Sequence, residues 1–354
     1  MVNKDYSFSE ALRIIKEGRK PSRELIRTLL TCKGQQVTDL LAAANDLRSK
    51  TVGREVHLRG LIEFSNYCHK DCLYCGLRRD NKSLTRYRLD ETEILRAVAE
   101  AVALNFRTVV LQSGEDSYYK PTDIAHLLEK IKSKYDVAVT LSLGEKSREE
   151  YSLWREAGAD RYLIRHETAS AELFKYLKPD TCLENRLQCV DWLRELGYQI
   201  GLGNMIGLPG QNLDILVEDI LLMNKYLPEM AGIGPFLPHP NTPLRDFQPG
   251  NLELCLKVLA VARLCLPYAH LPVTTALRTL AYDGYRLALQ SGANVIMPNM
   301  TPKGVKNLYV LYPEKADIQE EPQMALQEIE ALLYEEERVI GKGYGHGIKY
   351  EKEG

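Results

Sequence analysis

Three cysteines stand close together in "CHKDCLYC", which runs from Cys68 to Cys75 with the spacing CxxxCxxC. Three thiolates so close suit a metal centre, and the candidates are zinc and an iron–sulfur cluster. A closed zinc site takes four ligands, and His69 adjoins Cys68 too closely to reach easily around the same ion. A [4Fe–4S] cluster held by Cys68, Cys72 and Cys75 would leave one iron open to a ligand that is not protein. The spacing therefore favours such a cluster over inert loop thiols.

Side chains that can bind a polar ligand end three other apolar runs. "LQSGED" follows Thr108 and brings acidic groups, with a glycine that lets the backbone approach a ligand closely. In "TLSLGE", Thr140 and Ser142 share a face because side chains alternate along a strand. Arg165 and Glu167 of "RHET" also share a face, and burying a charged pair is unfavourable without a partner or ligand. We expect these groups to line a ligand site, with a purely structural Arg165–Glu167 pair as the alternative.

Five further side chains are weaker candidates. Arg186 in "ENRLQC" lies on a predicted helix, and its planar guanidinium suits a carboxylate, although its position alone is that of a surface residue. Thr274 and Thr275 in "PVTTALRT" offer hydroxyls, but strands favour β-branched residues in any case. Tyr309 and Tyr312 in "NLYVLYP" can close a cavity as an aromatic lid or can belong to the core.

The elements that must position these groups form eight strand–helix repeats. After Gly53 short apolar runs alternate with amphipathic helices, which is typical of βα units around a parallel sheet. The runs are "HLRGLIEFS", "TVVLQ", "VAVTLSL", "RYLIRH", "YQIGLGNMI", "GIGPFLP", "LPVTTAL" and "ANVIMPN". The rival, a doubly wound sheet that binds a dinucleotide, expects a glycine-rich turn after its first strand, where this chain has the cysteine loop. We predict an α/β fold, a (β/α)8 TIM-type barrel with its chemistry at the C-terminal ends of the strands.

Helices are expected on both sides of this barrel. Residues 1–53 predict an N-terminal helical extension, with helix starts at Ser22 and Thr38 and stops at Gly18 and Gly34. The barrel is predicted to span residues 54–313. Residues 314–354 predict a C-terminal helix followed by a glycine-rich tail, and we expect that tail to be mobile.

Composition narrows the classes of function. Lys and Arg total 46 and Asp and Glu 48, a net charge of −2, which gives no basic surface for nucleic acid. No apolar run reaches the roughly 18 residues of a membrane span, and the N-terminus lacks the apolar region of a secretory signal. The cysteines outside the loop are scattered through apolar, helix-like segments, unlike an oxidised secreted framework. We therefore expect a cytoplasmic protein with no nucleic-acid or membrane partner.

The cysteine loop, with Tyr74 before its last cysteine, resembles the signature of the radical S-adenosylmethionine enzymes. This resemblance implies that S-adenosylmethionine occupies the open iron and is cleaved reductively to a 5′-deoxyadenosyl radical. With "LQSGED", "AGADRYLIRHET", "ENRLQC", "GIGPFLPHPNTPL" and "LYVLYP", the chain from about Arg54 to Pro313 is similar to the HydE family of FeFe-hydrogenase maturases.

The resemblance implies a role for each candidate. Cys68, Cys72 and Cys75 would hold the cluster, and "SGE" resembles the family's "GGE" stretch, with Ser113 in place of the first glycine. The residues implied around S-adenosylmethionine are Tyr74, Ser113, Gly114, Glu115, Ser142, Glu167, Arg186 and Tyr309. Those implied around the substrate are Gln112, Thr140, Arg165, Thr274, Thr275 and Tyr312. No cysteine follows Cys265, so we expect one [4Fe–4S] cluster, without the accessory cluster that some family members carry.

The implied reaction belongs to assembly of the two-iron subcluster of the hydrogenase H-cluster. Its substrate would be a small cysteine-derived species, expected to be an iron–carbonyl–cyanide–cysteine complex received from the partner maturase HydG. HydF and a reduced flavodoxin or ferredoxin are the other implied partners. Two alternatives stay open at this point. One is a radical enzyme like biotin synthase or methylornithine synthase, and the other is a non-catalytic iron–sulfur carrier or scaffold.

Overall fold

A parallel barrel forms the centre of the chain, whose computed structural model describes residues 6–315 and 321–348. Strands form in every predicted apolar run except "LPVTTAL", which pairs with its neighbours through single bridges. The strands are β1 (Glu55–Leu58), β2 (Gly60–Ser65), β3 (Thr108–Ser113), β4 (Ala138–Ser142), β5 (Arg161–Leu163), β6 (Gln199–Leu202), β7 (Met205–Ile206), β8 (Met230–Ala231), β9 (Gly234–Pro235), β10 (Val295–Ile296) and β11 (Val339–Ile340).

Parallel pairing continues around the whole barrel. β2, β3, β4, β5, β6 and β8 form one six-stranded sheet in that order. Residues 270–273 take the seventh position, where His270 bridges to Met230 and Pro272 to Val295. β10 takes the eighth position and pairs with β1, so the sheet has no open edge. The (β/α)8 barrel is thus confirmed, and the doubly wound alternative is wrong.

Helices cover the barrel and extend beyond it. They are α1 (Phe8–Lys16), α2 (Arg23–Leu30), α3 (Gln35–Thr51), α4 (Glu91–Ala103), α5 (Pro121–Lys134), α6 (Arg148–Glu156), α7 (Ala171–Leu177), α8 (Leu183–Glu195), α9 (Leu213–Tyr226), α10 (Leu252–Cys265), α11 (Thr275–Leu280), α12 (Gly284–Gln290), α13 (Lys303–Lys306) and α14 (Pro322–Glu335). Ser7, Ser22 and Asp90 accept backbone N–H groups at the starts of α1, α2 and α4, as helix N-caps do. Within the described residues, none of the helices is long and apolar enough to span a bilayer.

The N-terminal helices cover one barrel helix on its outer side. α2 and α3 both pack on α10, and every α10 residue from Cys255 to Cys265 is buried. A helix buried all round needs apolar neighbours on two sides, and the extension supplies the second. One predicted boundary is wrong: α3 begins at Gln35 rather than Thr38, because Gly34 adopts a φ of 56° and precedes α3 instead of ending α2. The division of the chain at residues 53 and 313 stays a prediction.

The glycine-rich tail closes the N-terminal end of the barrel. β11 pairs with β1, and the chain then crosses beneath the strand starts. The Tyr344 carbonyl accepts hydrogen bonds from Thr108 Oγ1 and Arg161 Nη2, each at 2.7 Å. The Gly345 carbonyl accepts from Arg59 Nη2 at 3.1 Å. The prediction of a mobile tail is therefore wrong for residues 341–348, while residues 349–354 lie outside the described part.

Candidate active site

A cavity of about 270 Å³ opens at the C-terminal end of the barrel. Segments that follow all eight strand positions contribute to its wall, from the cysteine loop after β2 to the two tyrosines after β10. The predicted site residues that line it are Cys68, Cys72, Tyr74, Cys75, Gln112, Ser113, Gly114, Glu115, Ser142, Arg165, Glu167, Arg186, Tyr309 and Tyr312. The barrel therefore brings together groups that are up to 244 positions apart in the sequence (312 − 68).

Backbone hydrogen bonds hold the cysteine loop in the cavity wall. His69 N donates to the Glu115 carbonyl at 3.0 Å, and Gly76 N to the Leu311 carbonyl at 2.9 Å. Burial raises the pKa of Cys68 to about 11 and that of Cys75 well above its usual range. No three His, Cys, Asp or Glu side chains in the described ranges converge as ligands of one metal ion. An iron–sulfur cluster does not require such convergence, because each cysteine binds a different iron.

The turn after β3 fits tightly against the cysteine loop. A Cβ on Gly114 would lie 2.8 Å from Cys68 Cβ, so only glycine fits there without a shift. Asp116 anchors the turn: Arg88 donates to it from Nε at 2.7 Å and from Nη2 at 2.9 Å, and Ser65 Oγ donates at 2.7 Å. We expected this glycine to admit a ligand, and its observed role is the close approach of two loops. Glu115 is thereby left with its carboxylate in the cavity.

The Arg165–Glu167 pair lies beyond the end of β5, so strand alternation does not explain its position. Glu167 has a φ of 64°, a conformation that a non-glycine residue adopts at a cost of about 1 kcal/mol or more. Two backbone bonds hold it, from Glu167 N to the Gly203 carbonyl and from Met205 N to the Glu167 carbonyl, each 3.0 Å. Arg165 Nη2 donates to the Asn204 carbonyl at 2.6 Å, and Arg165 Nε lies 3.3 Å from Glu167 Oε2.

A buried polar group behind this turn supports it. Asp219 is fully buried on α9 and accepts a hydrogen bond from Asn204 Nδ2 at 2.8 Å and another from Ala169 N. Burial raises the pKa of Asp219 to about 7, although both donors oppose that shift. The fully buried His166 lies 4.0 Å from the carboxylate, and burial lowers its pKa to about 3. Asp219 thus ties both sides of the strained turn to α9.

Two cations reach the cavity from the segment of α7 and α8: Lys178 directly after α7, and Arg186 on α8. Arg186 Nε lies 2.8 Å from Glu145 Oε1, and this carboxylate raises the pKa of the buried guanidinium against the effect of burial. Lys178 is buried, and its Nζ lies 3.4 Å from Cys72 Sγ. Burial lowers the pKa of Lys178, but the neighbouring Cys72, Glu167 and Glu115 raise it overall.

Several buried polar atoms at the cavity lack a hydrogen-bond partner among the described residues. They are Glu115 Oε2, Arg165 Nε, Glu167 Oε2 and Arg186 Nη2. Buried polar groups are nearly always hydrogen-bonded, and a concentration of exceptions at one cavity points to a polar ligand. Both donors and acceptors are present, which fits the carboxylate, ammonium and ribose hydroxyls of S-adenosylmethionine.

Three predicted residues do not line the cavity: Thr140, Thr274 and Thr275. Thr140 is completely buried on β4, two residues before Ser142 on the same strand. Thr274 and Thr275 mark the start of α11, and the neighbouring Ala276 lines the cavity in their place. Their role toward a substrate stays a prediction.

Sequence reasoning missed the cavity-lining cations Lys70 and Lys178, and also Glu145, which pairs with Arg186 without lining the cavity. Glu145 stood in the quoted "TLSLGE" but follows the last predicted strand position, and its pairing with Arg186 depends on how α8 packs. Lys178 follows α7 in "YLKPD", which matches no motif that we recognised. Neither contact has a signal in local sequence, because each joins segments from different repeats.

Comparison with known proteins agrees with this geometry. Residues 62–223 match the family described as the Radical SAM superfamily. The chain is 51% identical over 300 residues to the [FeFe] hydrogenase maturase subunit HydE of Thermotoga maritima, covering 84% of this chain and 86% of that protein. The chain belongs to the HydE family. It is a radical S-adenosylmethionine enzyme whose cofactors are a [4Fe–4S] cluster and S-adenosylmethionine, as the cysteine loop predicted.

Other proteins that resemble this chain share less of its sequence. The 3-methylornithine synthase of Methanosarcina acetivorans is 28% identical over 283 residues, covering 79% of this chain and 80% of that one. A crystal structure of methylornithine synthase (PylB) superposes with a TM-score of 0.81 at 25% identity, covering 94% of this chain and 97% of that one. These likenesses support the barrel, and the higher identity to the HydE maturase separates the chain from the methylornithine synthases. Because the chain is a radical S-adenosylmethionine enzyme, the alternative of a non-catalytic iron–sulfur carrier or scaffold is disfavoured.

Proposed function

We propose that the chain acts in assembly of the two-iron subcluster of the [FeFe]-hydrogenase H-cluster, by reductive cleavage of S-adenosylmethionine and reaction of the product radical with a small cysteine-derived substrate. The observation that carries this proposal is the set of unsatisfied donors and acceptors beside three cysteines in one buried cavity. The similarity to a protein named as a hydrogenase maturase subunit gives the biological context.

In this proposal Cys68, Cys72 and Cys75 hold a single [4Fe–4S] cluster. When bound, the cluster supplies the electron that cleaves S-adenosylmethionine to the 5′-deoxyadenosyl radical. The cavity opens at the C-terminal end of the barrel, where such folds carry their chemistry.

Four charged or polar groups have the chemistry to orient S-adenosylmethionine. Glu115 Oε2 and Glu167 Oε2 accept no hydrogen bond from the described residues and can accept from an ammonium or from ribose hydroxyls. Arg186, held by Glu145, presents Nη2 as a donor to a carboxylate. Ser142 adds a hydroxyl at the end of β4. The remaining proposed contacts on the cofactor are Tyr74, Ser113, Gly114 and Tyr309.

The substrate is proposed to lie deeper in the barrel. Arg165 can bind an anionic group, because its Nε makes no hydrogen bond among the described residues although Glu167 is near. Gln112 lines the cavity and is a proposed substrate contact, and Tyr309 is proposed to lie between the cofactor and the substrate. Thr140, Thr274, Thr275 and Tyr312 are the other proposed contacts. Apolar side chains such as Met205 and Phe236 complete the wall and keep water from a reactive radical.

The partners follow from the same proposal. The substrate is expected to be an iron–carbonyl–cyanide–cysteine complex supplied by HydG, and the product is expected to pass toward HydF. A reduced flavodoxin or ferredoxin is the expected electron donor, and the cytoplasm the expected location. Neither a nucleic acid nor a membrane has a role in this reaction.

The proposal is tested with anaerobically reconstituted, reduced protein and S-adenosylmethionine. We expect release of 5′-deoxyadenosine to increase when a synthetic iron–carbonyl–cyanide–cysteine complex is added, and lysine to have no such effect. Productive turnover with lysine alone would instead assign the chain to chemistry like that of methylornithine synthase. Absence of 5′-deoxyadenosine under every condition, from protein with full iron content, would contradict both.

A further inference from the structure

Lys178 differs from the other cations of the cavity in what it contacts. Lys70 lies within 3.9 Å of Glu115 and 3.8 Å of Glu145, while Arg165 and Arg186 each lie beside a carboxylate. Lys178 forms no ion pair with any carboxylate of the described residues. Its Nζ instead donates to Cys72 Sγ at 3.4 Å, which is normal for a hydrogen bond to sulfur.

The backbone fixes this contact from both sides of Cys72. Asp71 N donates to Asp180 Oδ2 at 2.5 Å, and Leu73 N donates to the Leu177 carbonyl at 2.9 Å. The segment that carries Lys178 is therefore bonded to the residues immediately before and after the cysteine. These two bonds hold the segment 177–180 against the cysteine loop and so keep the Lys178 side chain within reach of the Cys72 sulfur.

The surroundings of the ammonium disfavour an isolated charge. The residue is 6% exposed, and its Nζ lies 5.9 Å from the ring centroids of Tyr74 and Phe174. A buried ammonium needs an anionic partner, and aromatic faces provide only part of that stabilisation. A thiolate bound to an iron–sulfur cluster carries negative charge and is such a partner.

We propose that Lys178 is a positioning residue for the cluster, whose charge-assisted hydrogen bond to Cys72 Sγ raises the reduction potential of the [4Fe–4S] centre. Hydrogen bonds to cluster sulfurs and nearby charge are the means by which proteins set these potentials. The sign is fixed by electrostatics: a positive charge stabilises the reduced, more negative cluster. The inference rests on the proposed assignment of Cys72 as a cluster ligand.

The test is a redox titration of the anaerobically reconstituted full chain, followed by electron paramagnetic resonance without S-adenosylmethionine. Lys178→Met removes the charge at similar side-chain length, and we expect a lower midpoint potential at unchanged iron content. Lys178→Arg keeps the charge, and we expect it to restore the potential toward the parent value. Lys175→Met is the matched control. It lies on α7, and its Nζ bonds to the Pro179 and Thr181 carbonyls of the same loop without touching a cysteine. We expect no shift from it.

Each other result overturns the proposal. If Lys178→Met keeps its full iron content and its midpoint potential is unchanged, Lys178 does not influence the reduction potential of the cluster. If S-adenosylmethionine affinity alone fell, Lys178 would serve that ligand instead. Should Lys178→Met lose iron, Lys178→Gln is compared with Lys178→Arg, and equal potentials contradict the role of charge. Loss of iron from all three variants, but not from Lys175→Met, would make the lysine a structural part of the loop. Retention of the cluster by Cys72→Ala would separately refute the ligand assignment.

Discussion

Arginine side chains are buried at both ends of the barrel, and their partners differ. At the N-terminal end, Arg161 donates to Thr108 Oγ1 at 3.2 Å, to the Tyr344 carbonyl at 2.7 Å and toward His346 Nδ1 at 2.8 Å. At the C-terminal end, the buried Arg186 and the half-buried Arg165 each have a nitrogen that makes no hydrogen bond, and an oxygen of the glutamate beside each of them accepts none. The tail carbonyls pair with the arginines at the N-terminal end, where Arg59 Nε and His57 Nδ1 still make no hydrogen bond. At the C-terminal end the atoms without a hydrogen bond belong to residues around one cavity.

This difference separates stability from ligand binding. A buried polar group that already has protein partners contributes to folding, whereas one without them is paired by a ligand or remains unfavourable. The polar groups at the two ends of the barrel thus obtain their partners from two sources. The first is part of the same chain and arrives on folding, and the second is the cofactor with its substrate. Each prediction below removes a group from one end and asks whether the effect stays at that end.

The largest effect is expected from Cys72→Ala at the C-terminal end. Loss of one of three cysteine ligands should abolish retention of the cluster and cleavage of S-adenosylmethionine, while the far-ultraviolet circular dichroism stays that of the folded barrel. Iron and sulfide analysis after anaerobic reconstitution measures this. Cys182→Ala, at a partly exposed thiol that does not line the cavity, is the control and should keep full cluster content. Normal 5′-deoxyadenosine yield from Cys72→Ala would contradict the assignment.

The next effect is expected from truncation after Ile340 at the N-terminal end. It removes the carbonyls that accept from Arg59 and Arg161, and hydrogen bonds to charged groups contribute about 1.5–3 kcal/mol each, so we expect a loss of at least about 3 kcal/mol. Denaturant unfolding measures the loss. Truncation after Ile348 keeps all of the contacts named here and serves as the reference chain for this comparison. An unaltered midpoint in the shorter chain would show that the tail is dispensable.

These two ends also mark what the sequence could predict. The eight apolar runs and the cysteine spacing are local patterns, so the barrel and the candidates at its C-terminal end followed from them. The tail was expected to be mobile because glycines at Gly341, Gly343, Gly345 and Gly347 indicate backbone freedom. Composition does not report that the strand starts present Arg161 and Gln199 to the tail carbonyls and side chains. Such contacts join distant segments, and only the folded chain displays them.

The same limit applies inside the active site. Arg165 and Glu167 were expected to share a face by strand alternation, yet β5 ends at Leu163. Their common orientation comes from the positive φ of Glu167 and from the backbone bonds that hold it. The residues were therefore predicted correctly as cavity lining by an argument that does not apply to them.

A smaller effect is expected from Arg165→Ala. The variant should retain its cluster and its affinity for S-adenosylmethionine, and should require roughly 10- to 100-fold more of the iron–cysteine complex for half-maximal stimulation, the equivalent of one lost charge-assisted hydrogen bond. Quantifying 5′-deoxyadenosine against substrate concentration measures this. Arg148→Ala, on the exposed start of α6, controls for loss of a positive charge. A parallel fall in S-adenosylmethionine affinity would place Arg165 with the cofactor instead.

The smallest effect concerns pH at the N-terminal end. His346 Nδ1 lies 2.8 Å from Arg161 Nη2 and 2.6 Å from Gln199 Nε2, so this nitrogen must accept and the ring is neutral. Burial, together with Arg161, Arg59 and Lys132, lowers the pKa of His346 to about 4 against the opposing effect of Asp160. A lowered pKa means that the folded chain binds fewer protons than the unfolded chain between about pH 6.5 and 4. Stability from this group is thus present above that window and is lost as the pH falls through it.

Replacing His346 by glutamine keeps an acceptor oxygen but removes the titration. Both proteins should become less stable on acidification from pH 7 toward pH 4.5. Because the imidazole is partly exposed, we expect His346→Gln to lose only about 1–2 kcal/mol less of its free energy of unfolding than the parent does. His57 and His270, whose pKa values are also lowered by burial, keep a residual slope in both proteins. His126→Gln, at an exposed position of α5, should follow the parent. Identical slopes for parent and His346→Gln would mean that the tail leaves this end of the barrel in acid before the imidazole is protonated.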